Sequence, residues 1–320
     1  MNRKSIFSCI ALLLTASCLT ACANTSQKVV FSSNWQNDNI VSINDLTETL
    51  EYDVTFEKSS AASEYEIDYK NGKYTAVLKT EQLGDRTIYA YETTLTIDVT
   101  YTFDEESVFF SDRVYSLVKF EKADKSLRPI SSHKEVFSHS PEKSAQSLNA
   151  CYRTLDYVVD VTYNEDYSGS STLALKNGDT TDESQNSFQM DTDKFTCLDN
   201  EQLLFALRGV NPSLTTSPKF NVYNPAIEMT QLVNGTFSAE TAADFTFARN
   251  GETKQRTISY FPVSIVLNGK NAGATQKVWI AKNTNIQNNT YRNVILKMEM
   301  PVYYSLGTLV YTLKSATFSN

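Results

Sequence analysis

The chain has 320 residues and carries 29 Lys and Arg against 37 Asp and Glu, a net charge of −8. An acidic balance argues against nucleic acid as a partner, because that affinity rests on Lys and Arg pairing with phosphate, and it disfavours direct docking on an anionic membrane face. The length suits one large β-domain or two smaller ones, and the 18 Tyr and 17 Phe suit half-buried strands.

Residues 1–21 read as a secretory leader. Arg3 and Lys4 open it, Ile6 to Leu14 is mostly apolar, and small residues precede Cys22. The apolar run is shorter than the roughly 20 residues that a permanent span needs. Leu19-Thr20-Ala21-Cys22 resembles the lipobox of bacterial lipoproteins. That resemblance implies cleavage before Cys22, acylation of its thiol with chains such as palmitate, and attachment to the extracytoplasmic face of the cell membrane. Each buried methylene of such an anchor contributes about 0.8 kcal/mol. The plainer alternative is an ordinary signal peptide that happens to contain cysteine. Loss of Arg3 and Lys4 leaves 27 basic against 37 acidic residues, a charge of −10. Residues 22–44 are polar, rich in Ser and Asn and free of periodicity, and read as a tether to a single β-rich domain, 45–320.

From Thr49 the alternation begins. "EYEIDYK" and "KYTAVLKT" flank Asn71-Gly72, a dipeptide suited to a type I′ hairpin turn. Five of the ten glycines follow an asparagine: Gly72, Gly178, Gly235, Gly251 and Gly269. That pattern predicts an antiparallel, hairpin-built sheet without crossover helices. The clearest strand puts Tyr89, Tyr91, Leu95, Ile97, Val99, Tyr101 and Phe103 on one parity and Glu92, Thr94, Thr96, Asp98, Thr100 and Thr102 on the other. A second puts Leu155, Tyr157, Val159, Val161 and Tyr163 on one side. One-sided strands of this length suit a single curved antiparallel sheet, an open half-barrel, better than a sandwich of strands about five or six residues long. Residues 138–149 are polar and contain a proline, and mark either a sub-boundary or a long connection; the same strand style on both sides favours the connection.

"CLDNEQLLFALRG" interrupts the strands. Asp199 is a good N-cap, Gln202 sits at capping-box spacing, Arg208 suits a helix C-terminus, and Gly209 predicts a left-handed stop. Leu203, Leu204, Phe205, Ala206 and Leu207 are consecutive and apolar, so the helix 200–208 is predicted to be buried nearly all round. The concave face of the sheet is its natural place, either as a fixed plug in a dry core or as a lid over a ligand cavity.

Three segments taken together resemble an uncharacterised family of exported bacterial β-proteins, a domain of unknown function. They are "RVYSLVKFEKADKSLRPISSHKE" with Leu127 and Pro129, "DNEQLLFALRGVN", and the C-terminal "VWIAKN…YRNVILKMEMPVYYSLGTLVYTL". The resemblance covers about two-thirds of the chain, from Arg113 to Leu313. It implies the curved half-barrel of bacterial lipoprotein and glycolipid carriers, and it transfers no catalytic residues. The lipid anchor and the extra N-terminal strands depart from it.

Chemistry-bearing residues are few. After the leader and Cys22, only Cys151 and Cys197 remain, either joined, which by chain entropy stabilises by roughly 4 kcal/mol, or as two buried thiols. His133, Glu135 and His139 share a parity, but six extended positions separate the histidines by roughly 20 Å, too far for one ion. Asp191, Asp193 and Asp199 lack calcium-loop spacing and read as a loop running into the helix cap. Glu105-Glu106 and Glu165-Asp166 read as solvated strand ends rather than a glycosidase pair. Of the two tryptophans, Trp35 falls in the tether and Trp279 takes the outward parity. No metal and no cofactor is expected.

These readings predict a non-enzymatic, lipid-anchored envelope protein whose concave face, lined by Tyr89, Tyr91, Leu95, Ile97, Val99, Tyr101, Phe103, Leu155, Tyr157, Val159 and Val161 and by helix residues Leu203, Leu204, Phe205 and Leu207, binds a lipid or other apolar solute. The alternatives are a carbohydrate or envelope-polymer binding module, using aromatics on the convex face, and then a hydrolase using two carboxylates.

Overall fold

The computed structural model describes residues 28–31, 47–60, 65–122, 126–268, 275–282, 292–302 and 306–318. Residues 1–21, read above as a leader, Cys22, Trp35, Gly269 and most of the segment 22–44 lie outside the described residues. Within them the chain is almost all strand. In order these are β1 (Thr47–Lys58), β2 (Glu66–Leu83), β3 (Arg86–Phe103), β4 (Glu106–Glu121), β5 (Pro129–Pro141), β6 (Tyr152–Tyr163), β7 (Ser168–Asn177) and β8 (Thr180–Gln189). They continue as β9 (Thr196–Asp199), β10 (Lys219–Asn224), β11 (Met229–Phe237), β12 (Thr241–Arg249), β13 (Glu252–Asn268), β14 (Gln276–Ala281), β15 (Ile295–Pro301) and β16 (Gly307–Phe318). One α-helix of six residues, α1 (Leu203–Arg208), follows β9 through a 3-10 turn, Asn200–Gln202. Among the described residues no helix is long and apolar enough to cross a membrane.

The strands form one sheet of order β8-β7-β6-β5-β4-β3-β2-β1-β16-β15-β14-β13-β11-β10-β9. Strand β12 stands off this path and pairs with both β13 and β16. The ring β12-β13-β14-β15-β16 is therefore closed, a five-stranded barrel with the other strands as extensions, and not the open half-barrel expected from the sequence. Two residue pairs close it in parallel, Ala248 with Ser315 and Arg249 with Ala316. Asn250 locks the seam: its N–H donates to Ala316 O at 3.0 Å, and its Oδ1 accepts from the Phe318 N–H at 2.9 Å. The physical reason for the miss is that alternation reports which face a residue takes but not what its edge pairs with. Long β13 serves both barrel and extension. Its first half pairs with β12 from Glu252 to Tyr260, and its second half pairs with β11 and β14.

The Asn-Gly dipeptides divide by role. Gly178 and Gly251, at φ +62° and +85°, turn the hairpins β7–β8 and β12–β13 as expected. Asn71-Gly72 does not make a turn. It is a bulge inside β2, where the register against β3 shifts between Lys70 and Lys73. Asn71 takes the left-handed conformation (φ 54°) and donates from Nδ2 to Asp98. Gly72 lies so close to β1 that a Cβ there would come within 2.6 Å of the Val54 carbonyl oxygen. Gly235 also sits inside a strand, β11.

Residues 138–149 are the end and loop of a hairpin, since β5 and β6 pair out to Pro141 and Tyr152. Residues 28–31, assigned by composition to the tether, are instead part of the body. Phe31 bridges Val210, the Val29 N–H donates to Thr196, and both Val29 and Phe31 are buried.

Inward positions of the sheet feed three separate clusters. The largest joins β1 to β4, α1, β9 to β11 and the barrel strands. Val99 and Tyr101, with Phe103 beside them, pack instead with Tyr65, Ile67 and Cys151. Val159 and Val161, with Tyr157 beside them, pack with Tyr163, Leu173, Cys197 and Tyr223. Twist along these long strands carries the two ends of one face to different neighbours.

Candidate ligand-binding groove

Helix α1 is fixed before it is greasy. At its start Asp199 caps as the sequence predicts: its Oδ1 accepts from the Glu201 N–H at 2.8 Å, and Gln202 answers from the other side of the capping box. The other Asp199 oxygen accepts from Ser132 of β5 and Tyr163 of β6, both at 2.6 Å. Gln202 Nε2 also donates to the Leu127 carbonyl. Burial, then the neighbouring Glu201 charge, push the Asp199 carboxyl up to about 6 despite these hydrogen bonds.

At the far end Arg208 lies in a buried fork–fork pair with Glu48 of β1, at 2.7 and 2.9 Å, with only 2 % and 3 % of the two side chains exposed. Its remaining donors reach the Asn293 and Arg292 carbonyls, and Asn293 Nδ2 donates back to the Arg208 carbonyl at 2.8 Å. Gly209 is not left-handed (φ −87°), contrary to the expectation. Its N–H instead closes on Ala206 O, and the next residue, Val210, enters the bridge with Phe31. Breaking such a buried pair typically costs about 3–5 kcal/mol, so the helix is a fixed wall and the plug description fits it better than the lid.

Phe205 packs under that wall, with ring centroids 5.3 Å from Tyr91, 5.8 Å from Tyr89 and 5.0 Å from Phe120. Leu207 faces the opposite side, beside Gly235. Leu203 and Leu204 face a groove of about 250 Å³. Its other apolar surfaces are Tyr74 of β2, Tyr91 of β3, Met298 and Met300 of β15, and Tyr311 of β16. Tyr74 meets Tyr311 edge-on at 5.5 Å. Burial raises all three phenols, Tyr91 to about 12, so they stay neutral at ordinary pH.

The polar rim is Thr93, Asn200, Glu201 and Gln276. Thr93 occupies the inward parity of β3 between Tyr91 and Leu95, and shares a 2.7 Å hydrogen bond with Ser116. Glu201 accepts from Lys134 Nζ and Asn200 Nδ2, both at 2.8 Å. Burial opposes ionisation of Glu201, but the Lys134 ammonium and these hydrogen bonds outweigh it, and the carboxyl sits below its ordinary range.

Of the predicted lining, Tyr91, Leu203 and Leu204 face the groove. Tyr89, Phe205, Leu207, Leu95 and Ile97 belong to the core around it. Val99, Tyr101, Phe103, Tyr157, Val159 and Val161 serve the two other clusters, and Leu155 is half-buried in β6 outside all three. Tyr74, Met298, Met300 and Tyr311 were missed. "KYTAVL" and "KMEMPVYYSLGTLVY" carry the alternation that marks them as inward, but nothing local says which inward positions share a hollow.

Cys151 and Cys197 are free, buried thiols in different clusters, not a disulfide. Cys151 sits at the loop end of the β5–β6 hairpin, whereas Cys197 lies in β9, the last strand at the other end of the sheet. Burial pushes both up, Cys197 to about 12, which leaves neither as a thiolate.

The histidines also go separate ways. His133 lies between Asp160 and Glu135 at 2.8 and 3.1 Å, while His139 is buried against Asp112 at 2.8 Å and stacked on Phe110. Among the described residues no group of three or more His, Cys, Asp or Glu is placed to hold a metal ion. Asp199 is fully enclosed and does not face the groove, although it stands next to Glu201 in the chain. Trp279 is half-buried and capped by Lys297 Nζ, 4.9 Å from its ring centroid.

No family model and no curated protein matches the chain. Among solved structures it is similar to a crystal structure of a β-barrel-like protein of domain of unknown function DUF1849 from Brucella abortus. The two share 8 % identity at a TM-score of 0.50, over 87 % of this chain and 100 % of that one. The likeness concerns fold: an all-β, barrel-like architecture.

Proposed function

We propose that this is a non-enzymatic, exported envelope protein, lipid-anchored through Cys22, that holds an apolar solute in the groove beside α1. The observation that carries this reading is the groove itself. It is walled by a helix tied down at both ends and lined by three neutral tyrosines, two leucines and two methionines. At about 250 Å³ it exceeds the engineered cavity of about 150 Å³ that takes benzene. It falls just short of the roughly 300 Å³ at which drug-sized sites begin. That size fits a short acyl chain or the end of a longer one. Methionine adapts its shape to irregular apolar partners, and the rim of Thr93, Asn200, Glu201 and Gln276 gives the polar end of such a ligand a place to sit.

The anchor fits the same reading. With Val29 in the body, seven peptide units separate it from Cys22, a reach of roughly 25 Å at most, so the domain rides close to the membrane that supplies the solute.

The test is to purify the chain from Asn24 on under native conditions and examine it by native mass spectrometry and solvent extraction. A co-purifying lipid or fatty acid that disappears with Leu204→Glu supports the reading. An empty protein that also ignores added fatty acid would sink it.

A further inference from the structure

We infer a second binding site, for a neutral carbohydrate, on the outer face of the sheet where β4, β5 and β6 run side by side. A groove of about 260 Å³ lies there, walled by Arg113, Tyr115, Glu135, Phe137, Asp156 and Lys176. The register explains why these side chains meet. Arg113 stands opposite Phe137, and Phe137 opposite Asp156; Tyr115 stands opposite Glu135. Directly opposed residues in an antiparallel ladder project to one side. The ladder between β4 and β5 stops at Arg113 and Phe137, and beyond it Asp112 takes the His139 N–H instead. The sheet opens at that point, and Phe137 is left 45 % exposed at the mouth. Phe109, on the same parity of β4 as Arg113 and Tyr115, is 60 % exposed and extends the strip by roughly 13 Å.

The chemistry selects the ligand. Exposed aromatic rings cost solvation unless something covers them, and the C–H face of a sugar ring is both apolar and flat. Around the rings stand two cations and two carboxylates. Lys176 is loosely paired with Asp156 at 3.9 Å, and Glu135 takes one edge of His133. The Arg113 guanidinium makes no hydrogen bond or ion pair among the described residues. A polyanion would meet the two carboxylates and a polycation the two basic groups. A ligand dense in hydroxyls, which donate and accept alike, meets partners on every side without a net charge to repel it. The site shares no residue with the groove beside α1, so the two stand or fall separately.

The experiment is calorimetric titration of the full chain, purified in a detergent without a sugar head group, against maltohexaose, cellohexaose and N-acetylchitohexaose. At least one of the three is expected to bind. Phe137→Ala, and independently Arg113→Ala, should each weaken that affinity by about tenfold or more, whereas Leu204→Glu in the other groove leaves it unchanged. Because the ligand is uncharged, the affinity should hold between roughly 50 mM and 500 mM salt. No heat from any of the three sugars overturns the proposal. So does binding that survives both substitutions, or binding confined to a polyanion such as polygalacturonate and lost in salt.

Discussion

Arg208→Met removes the guanidinium from the buried pair and leaves Glu48 facing an apolar side chain. The structure supplies the magnitude. Both partners are almost fully enclosed, the pairing is bidentate at 2.7 and 2.9 Å, and Arg208 also satisfies two backbone carbonyls from the segment before β15. Truncating one member of such a pair costs about 3–5 kcal/mol, because the other charge stays buried without its partner. In a domain of this size 1 kcal/mol moves the melting temperature by about 2–4 °C, so the variant should melt roughly 6–20 °C lower. Glu48→Gln alone should cost a similar amount. The double variant should be less damaged than the sum of the two, since neither charge is then stranded. Thermal and urea unfolding, followed by near-ultraviolet circular dichroism, measures all four proteins. A loss under about 1 kcal/mol for either single variant, or a double variant that is simply additive, would refute the claim that this pair holds the helix.

Asp199 gives a pH signature. Its folded carboxyl sits near 6 against an ordinary value of 3.8, so the folded state binds its proton more tightly than the unfolded chain. Stability therefore falls as pH rises from about 4 through 6. Relative to Asp199→Asn, the unsubstituted protein should lose roughly 3 kcal/mol across that window; a flat difference, or one of opposite slope, contradicts the assignment. Cys151 and Cys197 should resist a thiol reagent in the native chain from Asn24 on, and both should react in denaturant without reductant. Consumption of reductant before labelling would instead reveal a disulfide. Gly72→Ala should destabilise by about 1–3 kcal/mol by pressing a methyl against β1, measured as a shift in the urea midpoint, whereas an unchanged midpoint would mean that β1 and β2 do not approach as described.

Local chemistry was legible. The parity of β3 from Tyr89 to Tyr101 and the box formed by Asp199 and Gln202 were both readable, because each depends on neighbours within a few positions. What was not legible depends on distant pairing. The barrel closes through Ala248 and Arg249 against Ser315 and Ala316, more than sixty positions along the chain. Arg208 finds Glu48 160 residues away, and no local pattern marks Glu48 as different from any other strand glutamate. Asn71-Gly72 shows the same limit. The dipeptide signals positive φ, which the structure uses, but whether that residue turns a hairpin or bulges a strand is decided by the partner strand. The half-barrel expectation failed for this reason, and the lining residues failed in part because three clusters share one run of alternating faces.

The groove beside α1 is best tested by its methionines. The chain from Asn24 on contains four, Met190, Met229, Met298 and Met300, so a methyl-labelled sample gives a four-line carbon–proton spectrum. Titration with decanoate should shift Met298 and Met300, which line the groove, and leave Met190 and the exposed Met229 in place. Four unmoved resonances at saturating decanoate, or shifts confined to Met190 and Met229, would contradict an apolar binding site beside the helix.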